Sequence, residues 1–395
     1  MIEAVISFIV QYKAIILFYL CIILFLIIKR KSIVRQAKII LLYRMKLGLG
    51  WMDKYAAKYR AWVVLLGYIG VGAGFVGLVL ISYLLIKNLF TILTTPTAPA
   101  GVSLVLPGVN VPGLGILPFW YWLIAIFVIA VVHEFSHGIV ARAHNIPVKH
   151  TGLAFFGPII GAFVEPDEKK LRAEKDITQY SVYAAGAFSN VILALLALLL
   201  LAGIFTPIQE RMIEPTGFTF ASYFGGNLPA AQANLLPETL ITGIEGKPTK
   251  NFQEFNAELQ CARPGETVTL LTPDKPYKLV LAESPDAPGK PFLGISNIRN
   301  EFDVKEPYQK GWGKALYGVI NWTTGFLRWL FVLSLGIGLF NLLPLPIVDG
   351  GRMAQVFLHN LRGKEKGERQ YRKISLFFLL LLLLNLFVPL VVRLF

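Results

Sequence analysis

The chain has 395 residues, 55% of them hydrophobic, with a mean hydropathy of +0.60. That excludes an ordinary soluble protein, because several segments exceed the roughly 18–20 apolar residues that carry a helix across a bilayer. The formal net charge of +14 would suit nucleic acid, but the basic residues fall between the hydrophobic segments, as beside a cytosolic leaflet, so no nucleic-acid partner is expected.

Six spans are predicted: 6–28, 61–86, 117–141, 180–205, 327–343 and 374–394. The expected fold class is thus a polytopic α-helical membrane protein. The first span does not read as a cleaved signal peptide. No basic flank precedes its apolar run, Lys29, Arg30 and Lys31 follow it, and no small-residue cleavage site is visible. Residues 29–60 carry ten Lys/Arg interleaved with Ile39, Leu41, Leu42, Leu47 and Trp51, as an interfacial helix would. The Pro- and Gly-rich stretch 87–116 carries one basic residue, Lys87, whereas 142–178 carries six and the loop predicted at 352–373 carries seven. Alternating spans therefore put every basic segment on the cytosolic side.

The same alternation puts residues 206–310 outside. They hold thirteen acids to ten bases, strand-like runs (LITGIEG, TVTLL, KLVLAE) and a helical stretch, FQEFNAELQ. These features predict a small α+β domain inserted between the fourth and fifth spans. Cys21 and Cys261 cannot build a disulfide framework or a CxxC zinc motif.

The third span reads FWYWLIAIFVIAVVHEFSHGIV and buries His133, Glu134 and His137 in a run that is otherwise apolar. Polar groups at membrane depth are costly unless paired or wetted. Positions i and i+4 share one helix face, so His133 and His137 can present imidazoles to one zinc, with Glu134 as general base toward water there. A catalytic zinc needs a further protein ligand. His144 lies two turns on, about 10 Å away along a straight helix, which is too far to share the metal. Two candidates stay open: Glu165 in FVEPDE, and Asp349 in NLLPLPIVDGGR. Pro344 and Pro346 cannot continue a regular helix, and Gly350 and Gly351 permit close backbone approach beside Asp349. Topology favours Asp349. His133 lies about 22 Å into an inward-running span, and Asp349 follows the inner end of another.

HEFSHG at 133–138, N-x-x-P-x-P-x-x-D-G from Asn341 to Gly350, and AAGAFSN at 184–190 together resemble the site-2 protease family of intramembrane zinc metalloproteases. The resemblance covers the spans from 117 onward and leaves the first two spans as an extension. It implies one Zn2+ per chain held by His133, His137 and Asp349, Glu134 as catalytic acid/base, and Asn190 beside the metal, donating to the peptide carbonyl or oxyanion. FFGPIIGAFVEPDE, at 155–168, resembles the family's hairpin, with Gly157 and Gly161 allowing a tight backbone.

Residues 228–271 resemble a PDZ module, departing from it at Pro237-Glu238-Thr239, with Gly225-Gly226 or Gly217-Phe218 as guesses for a carboxylate-binding loop. The resemblance thus divides the chain into 1–116, a two-span extension; 117–206 and 311–395, a catalytic membrane domain in two parts; and 207–310, a PDZ-like domain. The implied partners are single-span membrane-anchored protein substrates, membrane lipid, and a peptide or protein ligand of the PDZ-like domain. The implied location is a multi-pass cell-membrane protein, with the PDZ-like domain extracytoplasmic and the active site toward the cytosol. The competing readings are a non-catalytic PDZ-bearing scaffold and, behind it, a metal-ion transporter.

Overall fold

The computed structural model describes residues 2–36, 40–94, 106–111, 114–156, 159–224, 228–285 and 287–392. Two compact units divide them: Ala202–Thr324 is one, and the residues before and after it form the other.

The larger unit opens with α1 (Ile2–Ile28) and a hairpin of β1 (Ile33–Gln36) and β2 (Ile40–Met45), followed by α2 (Leu49–Lys58) and α3 (Arg60–Thr94). A two-residue hairpin, β3 (Asn110–Val111) and β4 (Gly115–Ile116), precedes α4 (Phe119–Ala143). Then come β5 (Val148–Phe156), β6 (Ile159–Pro166), α5 (Glu168–Ala173) and α6 (Asp176–Leu200). The expected interfacial helix at 29–60 is therefore corrected: Ile33–Gln36 and Ile40–Met45 are paired strands, and the α-helix α2 covers only Leu49–Lys58. The run Ile40-Leu41-Leu42-Tyr43 is too continuously apolar for one helix face, and it pairs as a strand with β5. The resulting antiparallel sheet has the order β1-β2-β5-β6, which leaves β6 at an edge. The predicted hairpin at 155–168 takes in the end of β5 and the whole of β6, which pair antiparallel; Gly161 has open space around it, and Gly157 lies outside the described residues.

Two elements long enough to cross a bilayer pack together through small residues. α3 buries Gly67, Gly70, Gly74 and Gly77 along one face. A Cβ at Gly67 would meet Ser181 of α6, and one at Gly74 would meet Ala184 of α6. Helices in lipid gain little from apolar burial alone, so close backbone approach of this kind supplies much of their association. The predicted second span, which sequence left as an extension, thus packs directly on α6.

The second unit begins in a π turn at Leu201–Phe205 that runs α6 into α7 (Thr206–Met212). It contains β7 (Ile213–Tyr223), α8 (Pro229–Gln232), β8 (Gly243–Ile244), β9 (Lys247–Pro248), α9 (Phe252–Leu259), β10 (Thr267–Leu271), β11 (Tyr277–Val280), β12 (Ala282–Glu283), β13 (Pro291–Phe292) and β14 (Ile295–Val304). The predicted strand runs fall on β8, β10 and β11–β12, and the predicted helix falls on α9. The long β7–β14 ribbon was not anticipated. Phe218, Phe220, Leu235, Ile241, Phe255 and Leu270 form its core. The backbone N–H of Phe218 donates to Ile241 O (3.0 Å), so it is not a free donor for a peptide carboxylate. Gly225 and Gly226 lie outside the described residues.

The chain returns through α10 (Gly311–Asn341), which begins in the second unit and ends in the first. After a break at 342–348 come α11 (Asp349–Arg362) and α12 (Lys364–Val392). The loop predicted at 352–373 is corrected to helix: its bases lie on the amphipathic α11 and the start of α12, and Gly363, at φ +73°, turns the chain between them. The break is satisfied internally, since Ser375 Oγ on α12 donates to Pro344 O (2.8 Å). That is the condition for irregular backbone at membrane depth. Among the described residues, five helices are long and apolar enough to cross a membrane, and Ile15–Ile28 of α1 is a shorter apolar stretch.

Candidate active site

His133 and His137 sit one turn apart on α4, with ring centroids 4.8 Å apart. Asp349 is the first residue of α11, placed there by the break that the prolines impose. Its approach depends on Gly350 and Gly351, where a Cβ would collide with the backbone carbonyls of Leu342 and Leu345. The three side chains converge. His133 Nε2 lies 3.2 Å from Asp349 Oδ2, His137 Nε2 lies 3.3 Å from the same oxygen, and the two Nε2 atoms are 3.2 Å apart.

That triangle fits a metal. Ligand bonds of about 2.0–2.1 Å in a tetrahedron put ligand atoms about 3.3 Å apart. Three heteroatoms crowded this closely, one of them a buried carboxylate oxygen without a hydrogen-bond partner, are a donor set for a cation.

The imidazoles are held from behind. His137 Nδ1 lies 2.7 Å from Val182 O on α6, so Nδ1–H donates there and Nε2 is left as the ligand atom. His133 Nδ1 lies 3.1 Å from the side-chain amide of Asn190, which is fully buried. With the amide nitrogen on that side, the buried Asn190 Oδ1 has no partner. Turning the amide over puts that oxygen on His133 Nδ1–H and again frees Nε2 for a metal; amide orientation is settled by such networks. α10 secures Asn190 in turn, as Ser334 Oγ donates to the Asn190 carbonyl (2.7 Å).

Glu134, one residue after the first histidine, accepts the Val164 N–H from edge strand β6 (2.8 Å). Glu165, the other ligand candidate, is elsewhere: it pairs with Arg44 (3.0 Å) and His150 (3.2 Å). Sequence reasoning missed Gly186 on α6. A Cβ there would collide with Nε2 of both His133 and His137, so only glycine leaves room at the ligand atoms. Its signal was the small-residue run AAGAFSN, which was read for its asparagine.

Helices of membrane length around a zincin-like site define the class: an integral membrane metalloprotease. Residues 121–386 match the model of peptidase family M50, and the chain belongs to that family, the site-2 proteases. It is 27% identical over 342 residues to an uncharacterized protein of Methanocaldococcus jannaschii, covering 84% of this chain and 80% of that one. A Neisseria meningitidis protein whose name describes a zinc metalloprotease is 26% identical over 195 residues, covering 36% of this chain and 43% of that one. Protease RseP of Yersinia pestis is 26% identical over 187 residues, covering 46% of this chain and 37% of that one. The chain thus spans less than half the length of the last two.

Proposed function

We propose that this protein is an intramembrane zinc endopeptidase that hydrolyses peptide bonds within the membrane segments of single-span anchored proteins. The observation that carries the reading is the triangle of His133 Nε2, His137 Nε2 and Asp349 Oδ2 at 3.2–3.3 Å. These residues would hold one zinc ion per chain. When bound, zinc supplies a Lewis acid that polarises the scissile carbonyl and acidifies water.

The chain's own residues do the rest. Glu134 takes a proton from the attacking water and passes it to the leaving amine. Its link to Val164 N–H ties the base to β6, whose outer edge has no strand partner among the described residues. A substrate strand added at that edge lies beside Glu134 with its peptide bond exposed, which requires a helical substrate to unwind first. Asn190 and Val182 O fix the two imidazoles, so Asn190 acts by positioning His133. The second unit, read as PDZ-like, serves as a docking site or size filter on the extracytoplasmic side, and the active site lies toward the cytosol.

The test uses purified protein in detergent with a panel of single-span substrates, comparing wild type, Glu134→Gln and chelator-treated enzyme, with cuts located by mass spectrometry. Cuts inside the hydrophobic segment that vanish in both controls support the proposal. Cleavage that survives Glu134→Gln rejects it.

A further inference from the structure

We propose that the elbow between α11 and α12 binds the phosphate headgroup of an anionic membrane lipid. A cavity of about 260 Å³ there is lined by Arg362, Lys366, Arg369, Gln370 and Lys373. Lys366, Arg369 and Lys373 recur on α12 at spacings of three and four, which makes a single stripe, and Arg362 joins them from the end of α11. Among the described residues none of the four forms an ion pair. Two acids lie among them in sequence, and among the described residues neither forms an ion pair with any of the four: Glu365 stands in the first turn of α12, and Glu368 accepts from Arg372 (3.0 Å) and Gln355 (2.9 Å) and meets His359 (3.1 Å).

Four like charges around one cavity repel one another, and Lys364 and Lys366 sit in the first turn of α12, where the helix dipole already favours anions. An anion in the cavity relieves both. Backbone packing holds the cavity's walls together, because Gly367 lets α12 approach so closely that a Cβ would collide with Leu358 O of α11.

A free phosphate would use only these cations. The stripe, however, continues beyond Lys373 into Leu376, Phe377 and Leu380, which are 57%, 53% and 53% exposed and follow at helical spacing. Cationic side chains grading into an exposed apolar face match a headgroup followed by acyl chains, and basic pockets at span ends are where acidic lipids bind. An amphiphile satisfies both halves of the surface.

Native mass spectrometry of the full chain in detergent tests this, with phosphatidylglycerol or phosphatidylcholine of identical acyl chains added. Wild type should retain one phosphatidylglycerol in preference to phosphatidylcholine. The variant R362Q/K366Q/R369Q/K373Q should bind it at least tenfold more weakly, while R362K/R369K, which keeps the charge, should retain it. Equal retention of the two lipids by wild type overturns the proposal, as does an undiminished preference in the quadruple glutamine variant. Inorganic phosphate or an acidic soluble peptide that displaces the lipid at equimolar concentration would mark a general anion or peptide site and overturn it too. Circular dichroism on both variants separates lost binding from lost fold.

Discussion

His133 Nε2 and Asp349 Oδ2 lie 3.2 Å apart, although one comes from the middle of α4 and the other from the first turn of α11, beyond the whole second unit. Asp349→Ala removes the only acidic member of the ligand cluster. Two imidazoles alone leave a zinc site a ligand short. Zinc content measured by plasma mass spectrometry should fall from about one per chain to a small fraction of that, and proteolysis should fall with it.

Glu134→Gln keeps the size of the side chain and removes the base. Zinc content should stay at the wild-type level while the cleavage rate drops by about 10²–10⁴-fold, the usual contribution of a positioned general base. Loss of zinc in this variant would mean that Glu134 holds the metal instead.

Gly186 faces the ligand atoms so closely that a single methyl group suffices to obstruct them. Gly186→Ala should abolish zinc binding in equilibrium dialysis. Gly161→Ala, at a position with open space around it, is the matched control and should bind normally.

Asn190 stands behind His133 and is fully buried. Asn190→Leu keeps the volume but leaves His133 Nδ1 without a partner. Losing such an outer contact costs about 10–100-fold in metal affinity, which competition against a fluorescent chelator would measure. Unchanged affinity would return Asn190 to the role of a donor toward substrate.

Ser375 closes the broken segment by donating to Pro344 O. Ser375→Ala leaves that carbonyl without a donor in a buried setting, a cost of about 1–3 kcal/mol. Thermal unfolding in detergent should show the loss, and Ser375→Thr should recover part of it.

Several features were open to reading from local pattern. The helical spans were legible because an uninterrupted apolar run of bilayer length has few other fates. The hairpin at 33–45 was not, because basic residues interleaved with aliphatic ones suit an amphipathic helix and a strand almost equally; what decided was the partner strand β5, over a hundred residues away. The β7–β14 ribbon escaped notice for a similar reason. Ile213–Tyr223 contains proline and glycine and shows no clean alternation, and its pairing is settled by contact with Ile295–Val304.

By itself the sequence determined that His133 and His137 share a helix face with Glu134 between them, since the i, i+4 relation is a property of the α-helix alone. It also determined that the chain must break before Asp349, since Pro344 and Pro346 forbid a continuous helix. Only the tertiary structure decided how closely Asp349 approaches the histidines, that Glu165 pairs elsewhere, that Val182 and Asn190 contact the rings from behind, and that Gly186 leaves the space they need. Those are contacts between residues distant in the chain, and no local rule of spacing or propensity specifies which helices meet.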